Sequence, residues 1–91
     1  MAWTIKLVPA AEKKLKKLGT AESKRILAFL RDRVQPSENP RTLAKSLVGD
    51  TYSEIWRFRV GDYRILCEIH DEEILILVVD IGHRSKIYGG H

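Results

Sequence analysis

Apolar and polar residues alternate in "TIKLV", residues 4–8, which predicts a first β-strand because strand side chains point to opposite faces in turn. The spacing then changes to that of a helix. Pro9 suits a helix start, and Ala11, Leu15 and Leu18 recur at i, i+4 and i+7. The chain therefore begins with a strand followed by an amphipathic helix.

A second amphipathic helix is predicted directly after the first. Gly19 is suited to end the first helix, and Thr20 to cap the second. The second helix is predicted to run to about Val34. Its apolar face would comprise Ile26, Leu27, Leu30 and Val34. Two such helices joined by a short loop form an αα-hairpin, and each needs an apolar surface to cover.

Residues 54–60, 63–70 and 73–82 predict three further strands, after a connector at 35–50 with room for one short helical turn. Gly61-Asp62 predicts a two-residue hairpin of type II′, because glycine stands first. Asp71-Glu72 is a weaker turn signal. We predict a single α+β domain spanning 1–91, of order β-α-α-β-β-β. Its antiparallel sheet would carry the helix pair on one face.

The hairpin turn fixes which side chains share a face. Pairing Val60 with Tyr63 sets Arg59 against Arg64. The face toward the helices would comprise Trp56, Phe58, Val60, Tyr63, Ile65 and Cys67. The other face would carry Arg57, Arg59, Arg64 and Leu66. A one-residue slip would expose the aromatic side chains, so this register is strongly favoured.

Arginine facing arginine is unfavourable by a few tenths to about 1 kcal/mol. One interpretation is a solvated face with acids such as Glu68 nearby. The other is an anion site, because the last strand should return to the start of the strand that carries Arg64. It would bring the final segment, with His83, Arg84, Lys86 and Tyr88, close to Arg64. Guanidinium groups that converge with an imidazole and a phenol suit a phosphate with developing charge.

Composition and charge bear on the protein's partner and its cellular compartment. Residues 1–51 hold eleven Lys/Arg against five Asp/Glu, whereas residues 52–91 hold five against seven. The basic excess suits a polyanion. The single Cys67 excludes an internal disulfide and fits a reducing compartment. No apolar run has membrane-helix length, and no signal peptide pattern is present, so we expect a cytoplasmic protein with no membrane partner.

The sequence shows no His pair spaced with a carboxylate to bind a metal, no glycine-rich phosphate loop and no nucleophile elbow. We therefore expect no metal site and no cofactor. Phosphodiester chemistry would then have to be metal-free. RNA permits this, because its 2′-hydroxyl is an internal nucleophile.

"WRFRVGDYRILCEI" and "VVDIGHRSKIY", with the upstream "NPR" and "KSLVGD", resemble the RelE/ParE superfamily of bacterial toxins. The resemblance covers nearly the whole chain and implies a RelE-like microbial RNase fold. For RelE-like members it implies a toxin of a type II toxin–antitoxin system. Such a toxin is a ribosome-dependent endoribonuclease that cuts mRNA in the A site by 2′-hydroxyl attack and so inhibits translation.

The resemblance also implies roles for individual residues. Arg64 matches a phosphate-binding arginine, and Arg84 matches one that stabilises charge or protonates the leaving oxygen. Tyr88 matches a tyrosine that orients a base. Arg57 matches a basic strand residue, often lysine, that promotes attack; arginine is a poor base, so we assign it charge stabilisation. Residues expected to contact RNA are Lys45, Arg59, His83 and Lys86. His83 is also a candidate acid or base.

One position departs from the family pattern. Ile55 stands where relatives have a second basic residue, so one alternative is a degenerate toxin that only binds. The main alternative is a ParE-like toxin that poisons DNA gyrase without nuclease activity. In either case the family implies a RelB-like antitoxin partner, which supplies any contact with operator DNA.

Overall fold

The computed structural model describes residues 2–46 and 55–83. Its elements are the strand β1 (Thr4–Leu7), the helices α1 (Pro9–Lys17) and α2 (Thr20–Phe29), a π-helical turn (Leu30–Val34), a 3₁₀ turn (Pro40–Leu43), and the strands β2 (Lys45–Ser46), β3 (Ile55–Val60), β4 (Tyr63–His70) and β5 (Leu75–His83). The strands form one sheet in the order β1-β5-β4-β3-β2. The predicted α+β class is confirmed. No helix in the described ranges is long and apolar enough to span a membrane.

The sheet is mixed, so the prediction of a purely antiparallel sheet is wrong. β1 pairs with β5 in parallel, with Thr4 opposite Leu75 and Leu7 opposite Val78. Parallel neighbours need a long crossover connection, which the helix pair and the following strands provide here. The connector also contributes more than the expected helical turn, because Lys45–Ser46 pairs with β3 as a short edge strand.

The helix pair follows the predicted pattern with two differences. Gly19, with φ of 91°, is the N-cap of α2, and Thr20 is its first helical residue. Leu27 is 43% exposed, whereas Ile26 and Leu30 are buried. Leu27 stands about 100° around the helix from Ile26, which turns it away from the sheet. The π-helical turn closes with a bond from the Gln35 N–H to the Leu30 carbonyl, 2.8 Å.

The β3–β4 hairpin has the predicted register at every pair from Val60↔Tyr63 to Trp56↔Cys67. A type II′ turn has positive φ only at its first central residue. Gly61 has φ of 59°. Ile74 is the one described non-glycine residue with positive φ, so Asp62 has a negative φ and the turn fits type II′. The space beside Gly61 is also limited. A Cβ at position 61 would lie 3.1 Å from the Arg25 guanidinium of α2.

The core lies between the helix pair and one face of the sheet. Its fully buried members include Phe58, Ile65, Cys67, Ile76 and Val78 from the strands. Phe29 of α2 meets Phe58 edge-to-face, with ring centroids 6.0 Å apart. Burial raises the pKa of the Cys67 thiol, which agrees with an inert core residue.

Trp56 is less buried than its place on the face toward the helices suggests. It is only half-buried and lies outside the core cluster. The Arg41 guanidinium carbon lies 5.4 Å from its ring centroid. A segment remote in sequence therefore contacts this ring, which strand alternation alone does not predict.

Phe58→Ala should lower the free energy of unfolding by about 3–5 kcal/mol, because it empties a fully buried aromatic site. Denaturant unfolding would measure the loss. Leu27→Ala is the matched control, since its side chain is 43% exposed and should cost far less. Equal losses for the two variants would contradict the described core.

Candidate nucleic-acid interface

Basic side chains from three strands share the sheet face that points away from the helices. Arg59 lies opposite Arg64, and Arg57 lies opposite Leu66. On the other side of β3, Lys45 lies opposite Arg57. Directly opposed residues project to the same face, so the pairing alone places these cations side by side.

A pocket of about 270 Å³ opens on this face, where β3 meets the connector. Its lining residues are Thr42, Leu43, Ala44, Lys45, Arg57 and Arg59, and we call it the basic pocket. Arg59 and Lys45 are exposed and Arg57 is half-buried. A guanidinium binds phosphate through paired donors and a lysine acts as a point charge, so these groups suit a phosphate.

Arg64 is 6% exposed, which the sequence did not predict. Its Nη1 donates to the carbonyl of Gly61 at 3.3 Å and to that of Tyr63 at 3.2 Å. The guanidinium therefore folds toward its own hairpin turn. This arrangement holds a positive charge next to Arg59 despite the repulsion between the two groups.

The end of β5 lies beside the start of β4, as the sequence predicted. Gly82 is opposite Arg64 and His83 is opposite Tyr63. The His83 and Tyr63 rings meet edge-to-face, with centroids 5.7 Å apart. Three predicted site residues, Arg84, Lys86 and Tyr88, lie outside the described residues.

A β-bulge opposite Leu66 and Cys67 inserts an extra residue into β5. Asp80 stands at this irregularity and receives a hydrogen bond from Lys14 Nζ of α1, at 2.6 Å. The Glu68 carboxylate contacts His70 Nε2 at 2.8 Å. These contacts give two acids of the central strands partners other than the pocket cations.

Sequence reasoning missed Arg41. Its two terminal nitrogens donate to both carboxylate oxygens of Asp71, at 2.8 and 2.7 Å. The hydrogen bonds from Arg41 lower the pKa of the Asp71 carboxyl below its usual value. Residues thirty positions apart give no local signal of such a pair.

Within residues 2–46 and 55–83, no group of three or more His, Cys, Asp or Glu side chains is arranged to hold a metal ion.

Comparison with known proteins identifies the family. The model for the ParE toxin of the type II toxin–antitoxin system parDE matches residues 5–88. The chain belongs to this toxin family. It is thus a type II toxin of the RelE/ParE superfamily, as its sequence motifs indicated. The curated proteins searched include no match.

Solved structures with this fold include RelE toxins. The RelBE2 toxin–antitoxin complex of Mycobacterium tuberculosis matches with a TM-score of 0.83 at 22% identity, covering 94% of this chain and 95% of that chain. The RelE–RelB complex of Pyrococcus horikoshii gives 0.70 at 25% identity, covering 94% and 99%. The Escherichia coli RelBE complex gives 0.70 at 17%, covering 90% and 96%. The toxin thus shares the RelE fold.

Arg41→Gln should raise the pKa of the Asp71 carboxyl toward its ordinary value, because the two donated hydrogen bonds are lost. The depressed pKa means that this pair stabilises the fold above the ordinary carboxyl pKa and loses that effect as pH falls through the lowered one. An NMR titration of side-chain carboxyl carbons would measure both proteins. Arg31→Gln is the control, since it should raise the pKa of Asp32, which Arg31 lowers, and leave the pKa of Asp71 unchanged. An unaltered Asp71 titration in Arg41→Gln would contradict the assignment.

Proposed function

We propose that this toxin is a ribosome-dependent, metal-independent endoribonuclease that cleaves mRNA in the A site and inhibits translation. The basic pocket supports the proposal, since it joins Lys45, Arg57 and Arg59 on one face beside Arg64. Phosphoryl transfer from RNA builds negative charge on the phosphate oxygens, and fixed cations stabilise that charge. The toxin would act in the cytoplasm, where its substrate is.

The reaction begins with attack of the RNA 2′-hydroxyl oxygen on the adjacent phosphorus. The bond to the 5′-oxygen of the next nucleotide breaks, leaving a cyclic phosphate and a 5′-hydroxyl. One proton leaves the 2′-hydroxyl and one reaches the departing oxygen. Arg57 is assigned to charge stabilisation, because a guanidinium stays protonated.

His83 stays a predicted acid or base, although its pairing and ring contact with Tyr63 place it on the face toward the helices. It lies at the end of β5, one position from the residue opposite Arg64. An imidazole nitrogen can donate or accept a proton and so can serve as acid or base. The assigned roles of Arg84 in leaving-group stabilisation and Tyr88 in base orientation remain predictions, as does RNA contact by Lys86.

We further propose a RelB-like antitoxin as partner, with operator DNA contacted only through that complex. The fold relatives from M. tuberculosis, P. horikoshii and E. coli are complexes of toxin with antitoxin. A positively charged surface that suits RNA phosphate also suits an acidic protein segment. Such a segment would exclude RNA from the pocket.

A ParE-like gyrase poison is the second candidate. The observation that favours it is that the matching family model is that of ParE. Ile55, which stands where the resemblance implies a further basic residue, also weakens the nuclease assignment. The two functions differ in target, since one needs mRNA on the ribosome and the other needs gyrase.

Purified toxin with ribosomes and a defined mRNA should give cuts whose 5′ fragments end in a cyclic phosphate. Arg57→Ala and Arg64→Ala should each slow cleavage by roughly 10²–10³, the usual effect of removing one charge-stabilising donor. Arg84→Ala tests the predicted third arginine in the same way. Single-turnover rates on stalled ribosomes would measure these effects.

Arg33→Ala is the control, because it removes the same charge from an exposed position in the π-helical turn. Its cleavage rate should stay near that of the wild type. Absence of cleavage by wild-type toxin, together with gyrase-dependent DNA breaks, would reject the nuclease and establish the second candidate.

Salt dependence gives an independent test of RNA contact. Lys45→Ala should reduce the slope of log affinity against log salt by about 0.7, the value expected for one contact with single-stranded phosphate. Fluorescence anisotropy with a short RNA would measure it between low and physiological salt. Lys13→Ala on α1 is the matched lysine control, and an equal change for both lysines would argue against a specific contact.

A further inference from the structure

The Arg41–Asp71 pair links two segments that are distant in sequence. Arg41 belongs to the 3₁₀ turn, and Asp71 follows β4. The contact is bidentate, with Nη1 to Oδ1 at 2.8 Å and Nη2 to Oδ2 at 2.7 Å. Two parallel bonds fix the orientation of the guanidinium plane as well as its position.

The same guanidinium also contacts β3. Its central carbon lies 5.4 Å from the Trp56 ring centroid, within cation–π range. Trp56 directly precedes Arg57, a residue of the basic pocket. The Arg41 side chain therefore joins three segments: the connector at 35–50, β3 and the β4–β5 turn.

The 3₁₀ turn links the position of Arg41 to that of the pocket wall. The Asn39 side-chain oxygen accepts the Arg41 backbone N–H at 3.3 Å, and the Thr42 hydroxyl donates to the Asn39 carbonyl at 2.8 Å. Residues 42–45 directly follow Arg41 and line the basic pocket. Lys45 then pairs with Arg57. A displaced Arg41 would thus shift the pocket wall that carries Lys45.

We propose that Arg41 is a positioning residue for phosphate binding: held by Asp71 and Trp56, it sets the distance of Lys45 from Arg57 and Arg59. The inference rests on the proposed function, because it assumes that the basic pocket binds RNA phosphate. Arg41 acts through Lys45 in this account. It would not itself need to touch the RNA.

Two substitutions separate geometry from charge. Arg41→Lys keeps the positive charge but loses the bidentate contact, since lysine offers a single ammonium. Arg41→Gln loses both. Each should weaken binding of a short single-stranded RNA by roughly tenfold, a coupling within the range measured between contacting residues. Fluorescence anisotropy would give the affinities, and thermal unfolding would show that each variant is folded.

Arg31→Gln is the matched control. It removes an equal charge from another arginine–aspartate pair, in which Arg31 Nε lies 2.9 Å from Asp32 Oδ1. Its effect measures the loss of one positive charge away from the basic pocket. If Arg41→Gln weakens RNA binding no more than Arg31→Gln does, Arg41 has no positioning role.

A double-mutant cycle tests the route through Lys45. If Arg41 acts by placing Lys45, Arg41→Gln should cause little further loss once Lys45→Ala is present. Additive losses would overturn the proposal and indicate that Arg41 binds RNA directly or acts by charge alone. Full RNA binding by Arg41→Lys would overturn it as well.

The swapped pair Arg41→Asp with Asp71→Arg restores the opposite charges in exchanged places. Recovery of RNA affinity above that of either single variant would support the pair as the operative contact. Failure of the proposed function gives a different result, because RNA binding would then be insensitive to Lys45→Ala, Arg57→Ala and Arg59→Ala together.

Discussion

The register of the β3–β4 hairpin is the constraint on which the core and the basic face both depend. Gly61 permits the turn, and the two-residue strand period then assigns every side chain to one face or the other. Phe58 and Ile65 face each other across the strands on the helix side. Arg59 and Arg64 must consequently share the opposite side.

The energies explain why this pairing persists. Two like charges in opposition cost up to about 1 kcal/mol. A slip by one residue would instead direct guanidinium groups into the core, where each buried charge costs several kcal/mol. The larger penalty decides the register. The bonds from Arg64 to the Gly61 and Tyr63 carbonyls then give that crowded charge polar partners.

The parts of the fold governed by local periodicity could be predicted from the sequence. Alternation specified the β3–β4 pairing to the residue, and helical spacing specified the buried positions Ala11, Leu15 and Ile26. The parallel β1–β5 pairing could not be predicted, since it joins residues seventy-one positions apart that carry no matching signal.

In the candidate site, too, features set by local periodicity were predictable and contacts between distant segments were not. The alignment of Arg57, Arg59 and Arg64 follows from strand geometry and was predictable. The Arg41–Asp71 pair depends on where the connector crosses the sheet, which neither composition nor periodicity determines. The burial of Arg64 was missed for a similar reason, because alternation assigns a face and does not specify what covers it.

The position of β5 has a consequence for synthesis on the ribosome. This strand is the last described element, yet it lies between β1 and β4. The first strand and the helix pair therefore emerge before their main sheet partner exists, and contacts so distant in sequence form late. We expect the preceding elements to remain largely unfolded until β5 has left the exit tunnel. A toxin with this topology gains its folded surface only after that strand has been synthesised.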